Sequence, residues 1–331
     1  MTDAATIVDA DPRWPLRYEE VAAGIREAVG GAVDEVHHVG STSVPGCAAK
    51  DCIDVLVLVD AAVPPPEVTR DVIRPLESAG WVHRADLAWF MPERWFLHRD
   101  APFGVNVHVE RRGLPGAVRD TRLVVRDALR ADPGLRDRYV GLKRSLARSS
   151  PDLDAYSEGK SELLLGVIAD AAARGDRCGV HLRAEHPGSP AATSLVADYV
   201  GHLVRDVPGG FDCAMDAPPP AGSFEPPRGT FLVARDDAEP VACGAMWEVA
   251  PGIAELKRMW VAPTHRGLGL GRRLLEALES AARAAGHHTS RLDSMHSLAA
   301  AVALYRSAGY SEVPPYNHNP NATIWMERSL R

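Results

Sequence analysis

Residues 264 to 286 read THRGLGLGRRLLEALESAARAAG: a basic turn, three glycines in five positions, and a run whose apolar residues recur at helical spacing. Leu274, Leu275, Leu278, Ala281, Ala282 and Ala285 form one stripe of that helix, which predicts a face packed on a sheet. The preceding AELKRMWVAP (254–263) has the alternation of a strand. A strand that feeds a glycine turn and then a helix is a place where α/β proteins hold phosphates. The first amides of the helix have no partner within it, and they lie at its positive end. Glycine lets an anion reach them, because a side chain would hold it away. The spacing discriminates among phosphate turns. A dinucleotide fingerprint needs G-x-G-x-x-G with an acid about 20 residues on, whereas here Gly267, Gly269 and Gly271 alternate and Arg272 stands where the third glycine would fall.

Outward from that turn, the second half alternates regularly. VHLRAE (180–185), TFLVARD (230–236), PVACGAMWEV (240–249) and AELKRMWV (254–261) read as strands. After the glycine-led helix come the strand SRLDS (290–294), the helix LAAAVALYRSAG (298–309) and the closing strand ATIWMERSL (322–330). The proline-rich APPPAGSFEPPRG (217–229) reads as an internal loop.

The first half is organised differently. The helical YEEVAAGIREAV (18–29) leads to the β-branched IDVLVLV (53–59), short enough for a buried strand. EVTRDVIRPLESAG (67–80) reads as a helix, and WVHRADLAWFMP (81–92), RWFLHRD (94–100) and FGVNVHVER (103–111) as strands. From about Asp120 to Asp170 the pattern is helical, with breaks at Asp132-Pro133 and Ser150-Pro151. Strands first and helices after suit an α+β domain. The aperiodic AAARGDRCG (171–179) marks the boundary, giving expected domains of 1–175 and 176–331. A chain of 331 residues is long for one core and comfortable for two of about 150 to 170.

Composition narrows the function classes. The chain is 46% hydrophobic and 24% charged, with a formal charge of -7, which argues against nucleic acid or an anionic membrane as partner. No basic-then-apolar leader opens it, and CIDVLVLVDAAV is interrupted by Asp54 and Asp60, so a cytoplasmic location is expected. Cys47, Cys52, Cys178, Cys213 and Cys243 form no CxxC pair, so neither a disulfide framework nor a zinc site is signalled, and no metal is expected.

The stretch 254–271 closely resembles the coenzyme A loop of the GNAT acetyltransferases, whose signature is Arg or Gln, two residues, Gly, one residue, Gly or Ala. Arg266, Gly269 and Gly271 fill it. The likeness continues in order through LDSMHSLAAAVALYRSAGYSEVPPYNHNPNA (292–322) and covers about residues 179 to 331. It implies an α/β GNAT fold with a central mixed sheet and acetyl-CoA as co-substrate. It also implies that the backbone of Arg266, Gly267, Leu268, Gly269, Leu270 and Gly271 holds the diphosphate, with Arg272 as a further contact. Main-chain groups of Met259 and Val261 would align the pantetheine arm, and Tyr305 would donate a proton to the departing sulfur. Glu255 matches a position where family members keep a glutamate as base, directly or through water. A carboxylate paired with Lys257 or Arg258 is the plainer reading. Asp293 and His296 stand where relatives often carry asparagine or threonine, His296 being a second candidate base. Tyr316, Asn317 and His318 are placed at the acceptor pocket by order along the chain. The acceptor is an amine, small molecule or peptide.

A second glycine turn stands in HHVGSTSVPGCAAKDCIDVLVLVD (37–60). Gly40-Ser41 precedes Asp54 by the spacing that nucleotidyltransferases use to bind a triphosphate and Mg²⁺. The second carboxylate of that arrangement is replaced by Leu56, and a neighbouring strand offers His108 where an acid is expected, a poor set for a hard cation. VGSTSVPG, AAKDCIDV, NVHV and RDALRADPGLRDRYVGLKRSLA together resemble the GrpB family, a nucleotidyltransferase-like group, over residues 12 to about 171. The likeness implies an α+β nucleotidyltransferase-like fold. Gly40, Ser41, Ser43, Lys50, Asp54 and His108 form a candidate phosphate site that could take a nucleotide, and Asp54 alone also fits a buried, hydrogen-bonded carboxylate. Residues 119–148 carry nine Lys or Arg against four Asp, which suits either an anion groove beside Ser41 and Ser43 or a helix surface of paired charges. The expectation is an acetyl-CoA-dependent N-acetyltransferase joined to a GrpB-like domain of binding or regulatory role. Nucleotide transfer by the first domain, and a non-catalytic nucleotide- or acyl-CoA-sensing module, stand as alternatives.

Overall fold

A computed structural model describes residues 6–88, 93–207, 211 and 219–331. Cys213 and parts of two predicted segments, 81–92 and 217–229, lie outside the described residues. The chain divides into two compact units: Met1–Ala85 with Arg94–His181 and Asp236–Ala238, and Asp86–Glu93 with Leu182–Arg235 and Glu239–Arg331.

In the first unit α1 (Trp14–Val29) precedes β1 (Glu35–Val39) and β2 (Cys52–Asp60). Six of the seven residues from Ile53 to Val59 of β2 are buried, all but Asp54, because this strand sits inside the sheet. The helix expected over 67–80 is real but interrupted. α2 (Pro65–Val68) passes through a π turn, Thr69–Ile73, into α3 (Arg74–Ser78). Pro75 has no N–H to give and its ring crowds the preceding turn, and a wider turn there relieves both. β3 is only Val82–His83, followed by a 3-10 turn at Ala85–Leu87, so the strand expected across 81–92 is short. β4 (Arg94–Arg99) and β5 (Gly104–Arg112) complete a sheet of order β1-β2-β5-β4-β3, in which only β2 and β5 run parallel. The helical stretch resolves into α4 (Thr121–Ala131), α5 (Pro133–Ser149), α6 (Leu153–Glu158) and α7 (Ser161–Ala173). Asp120, Asp132 and Asp152 cap three of them, accepting from Arg122, Leu135 and Ala155 amides.

The second unit is built on a seven-stranded mixed sheet of order β11-β12-β10-β9-β8-β7-β6. Its members are β6 (Val180–Ala184), β7 (Gly229–Asp236), β8 (Glu239–Ala250), β9 (Ile253–Val261), β10 (Thr289–Ser294), β11 (Ser311–Val313) and β12 (Ile324–Ser329). α8 (Pro190–Asp206) is a helix the sequence reading missed, although Ser189 caps it through the Ala192 amide and Pro190 opens it. α9 (Leu270–Ala284) buries Leu274, Leu275, Leu278, Ala281 and Ala282 of the stripe expected from their spacing, whereas Ala285 caps the helix and is exposed, because the stripe runs out where the helix ends. α10 (Ala299–Ser307) follows β10. Among the described residues, no helix is long and apolar enough to cross a membrane.

Candidate functional site

In the second unit two neighbouring strands separate beside the predicted residues. β10 pairs with β9 in parallel only from Thr289↔Ile253 to Arg291↔Glu255, and beyond that point the two strands have no register pairs. On its other side β9 bulges against β8. Ala245 faces Lys257 while Cys243 faces Trp260, so Arg258 and Met259 together stand opposite Gly244. Arg258 adopts φ 56, a left-handed conformation that a non-glycine residue occupies at a cost. Its guanidinium stacks 5.0 Å over Phe224, away from Glu255. The bulge leaves Met259 outside the β8 ladder at the splayed end of β9, and nothing in the sequence pattern signals it.

The glycine turn closes that end. Gly267 and Gly269 have φ 76 and 80, and Gly269 is the N-cap of α9. A β-carbon on Gly267 would meet open space, whereas one on Gly271 would touch Leu304 of α10 at 3.4 Å. Among the described residues, the amides of Gly267 to Gly271 donate to no main-chain carbonyl. They form an open row of donors that fits a diphosphate. Arg266 folds back, its Nε donating to Val261 O at 2.9 Å, which ties the turn to the end of β9. Arg272 donates to Ser307 Oγ at the end of α10. Leu268 is exposed and Leu270 is buried.

Tyr305 lies buried on α10 with its hydroxyl pointing to Met259 Sδ, 3.9 Å away. Burial and the Asp293 carboxylate push the phenol up to about 12, so it keeps its proton at neutral pH. Glu255 is buried and engaged at both oxygens: Trp247 Nε1 donates to Oε2 at 3.0 Å and Asn317 Nδ2 to Oε1 at 3.1 Å. Asn317 also donates to Asp293 Oδ2 at 2.7 Å and accepts from Trp325 Nε1 at 2.8 Å. Lys257 Nζ donates to both Asp293 oxygens, at 3.0 and 2.8 Å, and lies 3.5 Å from Glu255. One cation thus serves two buried carboxylates, and an amide from the loop before β12 bridges them. The Tyr316 hydroxyl is buried, and burial, with the Glu255 and Asp293 carboxylates beside it, pushes its pKa up. His318 is exposed, while His296 is drawn to Thr323, its Nδ1 at 3.1 Å from the hydroxyl.

The first unit brings its predicted residues together as well. Gly40 has φ 67, and a β-carbon there would lie 2.9 Å from Cβ and Cγ of Asp54. The turn therefore rests directly on that carboxylate. Gly40→Ala is expected to destabilise the protein by roughly 2 to 4 kcal/mol, lowering the thermal midpoint of the full chain by about 5 to 10 °C. An unchanged midpoint would show that the turn can move off Asp54. The carboxylate accepts from Asn106 Nδ2 at 2.8 Å and lies 3.9 Å from His108 Nε2. Its pKa is lowered because His108, Asn106 and Lys50 outweigh the effect of burial. Burial, with Arg122 and Arg94 nearby, pushes His108 down to about 4, so it stands neutral beside the acid. Leu56 is fully buried against Val39, Leu58 and Leu123.

Three arginines grip the same turn through its carbonyls: Arg126 at His38 O, Arg130 at Ser43 O and Arg136 at Pro45 O. Arg119 pairs with Asp127 and Asp176, Arg122 with Glu110 and Asp120, and Arg144 with Asp9. The basic stretch 119–148 is thus largely paired charge, and its one buried lysine, Lys143, points inward. Ser43 Oγ donates to Gly40 O at 2.6 Å and stabilises the turn itself. Lys50 is exposed with its ammonium over the Tyr156 ring. Sequence reasoning missed Lys143, Tyr156 and Lys160, and it placed Asn317 at the acceptor pocket without its bonds to Glu255 and Asp293, because their partners are distant along the chain.

The model of the family described as "GrpB protein" matches residues 4–170, and that of "Acetyltransferase (GNAT) family" matches residues 202–310. A UPF0157 protein of Halalkalibacterium halodurans is 34% identical over 170 residues, covering 50% of this chain and 82% of its own. An IAA acetyltransferase of Azospirillum brasilense is 42% identical over 103 residues, covering 30% of this chain and 67% of its own. Among solved structures, the conserved protein GrpB from Enterococcus faecalis aligns with a TM-score of 0.43 at 24% identity, covering 51% of this chain and 99% of that one.

Proposed function

Since the chain belongs to the GrpB family through its first half and carries a GNAT-family acetyltransferase domain in its second, we propose that it moves acetyl from acetyl-CoA to the amino group of a small molecule or peptide. It is an acyltransferase, and acetyl-CoA is the co-substrate of that family. One observation carries the reading. The open amide row of Gly267 to Gly271, the bulged residue Met259 and the Tyr305 hydroxyl all converge at the splayed end of β9.

That convergence fits direct transfer. The loop amides and the α9 N-terminus hold the diphosphate, while main-chain groups of Met259 and Val261 align the pantetheine arm and the acetyl carbonyl. The amine nitrogen attacks that carbonyl, the C–N bond forms and the C–S bond breaks. Tyr305, protonated at neutral pH, gives its proton to the departing sulfur. Glu255 already accepts two hydrogen bonds, so it takes the ammonium proton through water rather than by direct contact. In this reading Arg266 braces the loop at Val261, and Arg272 is fixed at Ser307 beside it. The first unit, taken as residues 1–175, has a binding or regulatory role. Nucleotide transfer there is disfavoured because Leu56 is buried in apolar packing and His108 is neutral, which leaves Asp54 without carboxylate partners for Mg²⁺.

A thiol-release assay of the full chain with acetyl-CoA over a panel of amines tests the proposal. At least one polyamine, aminoglycoside, amino acid or peptide amine is expected to raise thiol release well above the no-acceptor rate. Hydrolysis at one unchanging rate across the panel would overturn transfer to an amine.

A further inference from the structure

The first unit contains three lysines gathered in one place. Lys50 Nζ lies 5.4 Å and Lys160 Nζ 4.5 Å from the centre of the same Tyr156 ring. Lys143, 2% exposed, donates to Ala48 O, lies 3.3 Å from Cys47 Sγ and sits 4.5 Å over Tyr139, which neighbours Ser41. Among the described residues, none of the three has a carboxylate within ion-pair distance, although Arg122, Arg126, Arg130, Arg136 and Arg144 of the neighbouring helices α4 and α5 do. Asp54 is the acid whose field reaches all three, and its oxygen is already engaged by Asn106. Burial first, and then the neighbouring lysines, push Lys160 down to about 8. Holding the exposed Lys50 beside the partly buried Lys160 and the buried Lys143, with aromatic faces and only the already engaged Asp54 as counter-charge, costs free energy that a bound anion would recover.

The turn beside them is prepared for the same charge. The arginine clamp pulls the carbonyls of His38, Ser43 and Pro45 toward α4 and α5, and the amides of Ser41 and Thr42 have no main-chain acceptor among the described residues. No group of three His, Cys, Asp or Glu among the described residues is arranged to hold a metal ion. We propose that Lys50 and Lys160, with the Ser41–Thr42 amides, bind the phosphates of a small phosphorylated ligand directly, the ammonium groups serving where a nucleotidyltransferase would use a divalent cation. Lysine suits this as a compact point charge with three rotatable donors. Tyr156 keeps the two ammonium groups in place between visits of the ligand. The assignment deepens the binding role read for the first unit and is independent of acetyl transfer by the second.

Calorimetry of the full chain with inorganic pyrophosphate, in EDTA and at low ionic strength, tests it. We expect binding in EDTA that weakens at least tenfold in Lys160→Gln and in Lys50→Gln, is restored in Lys160→Arg, and persists in Gly269→Asp. Binding that appears only when Mg²⁺ is added overturns the proposal, as does no binding at all. Binding lost in Gly269→Asp but kept in Lys160→Gln overturns it too, and would assign pyrophosphate to the C-terminal loop. Titration of Gly269→Asp, in which the C-terminal loop is blocked, with ADP separates sources: tighter binding than pyrophosphate in that variant assigns a nucleotide, and equal binding assigns the phosphates alone. A readout on the unmutated chain guards against misfolded variants. Brief acetic anhydride labelling at pH 8 should modify Lys160 at least threefold more slowly with pyrophosphate present, and equal rates would overturn the assignment.

Discussion

Gly269→Asp is expected to raise the dissociation constant for acetyl-CoA at least a hundredfold, a loss of about 3 kcal/mol. Two effects add. Gly269 sits at φ 80, where a residue with a β-carbon costs roughly 1 to 2 kcal/mol. The new carboxylate would also face the diphosphate at the N-cap of α9, turning a favourable helix terminus into a repulsive one. Gly269→Asn separates these contributions, because asparagine tolerates the left-handed region and brings no charge. Its affinity should fall much less. Calorimetry with acetyl-CoA reads both variants, and a thermal melt shows whether each remains folded. Retained affinity in Gly269→Asp would remove the loop as the diphosphate cradle.

Tyr305→Phe is expected to lower kcat by about a hundredfold or more, the range of a lost general acid. The dissociation constant for acetyl-CoA should stay within about twofold, because the lost hydroxyl makes only a long contact with Met259 Sδ. The phenol is buried among Met259 and Tyr310, and phenylalanine keeps that packing, so stability should change little. Because burial and Asp293 push the hydroxyl up to about 12, the wild-type rate should show no alkaline decline from Tyr305 near neutrality. The measurement is a steady-state comparison of thiol release with the best acceptor from the panel. An unchanged kcat would mean that the sulfur leaves without this proton.

The two sites differ in how far they could be read from the chain alone. In the second unit, Arg266, Gly267, Leu268, Gly269, Leu270 and Gly271 are consecutive, so the row of open amides follows from local geometry and glycine placement. Tyr305 was assigned through family resemblance, and its approach to Met259 depends on how α10 packs against β9. Glu255 shows the limit of a motif. Its position was legible, but the hydrogen bonds that occupy it come from Trp247 across the ladder and from Asn317, 62 residues away. The expected alternative of a pair with Lys257 or Arg258 resolves toward Lys257, because Arg258 turns to Phe224 at the bulge.

In the first unit Gly40, Ser41, Asp54 and His108 were visible as a pattern with missing carboxylates, and the loss of Leu56 to the core is consistent with that pattern. The lysine cluster was not visible. Lys50 precedes β2, Lys143 lies on α5 and Lys160 opens α7, more than a hundred residues from Lys50 along the chain. The excess of positive charge over 119–148 pointed to arginines, yet they are spent on carboxylates and on carbonyls of the turn. Counting charge along a chain cannot tell a paired cation from an unpaired one, because pairing depends on which helix faces which.

By itself the sequence determined the two halves, the strand, glycine turn and helix at 254–286, and the stripe that packs α9 on its sheet. These depend on residues within a few positions of one another, where backbone sterics and periodicity act directly. The tertiary structure alone decided the bulge at Arg258 and Met259, the engagement of Glu255 by Asn317, and the meeting of Lys50 and Lys160 over Tyr156. A bulge needs a partner strand to be out of step with, and unpaired charge needs neighbours drawn from distant segments. Neither quantity exists until the chain has folded.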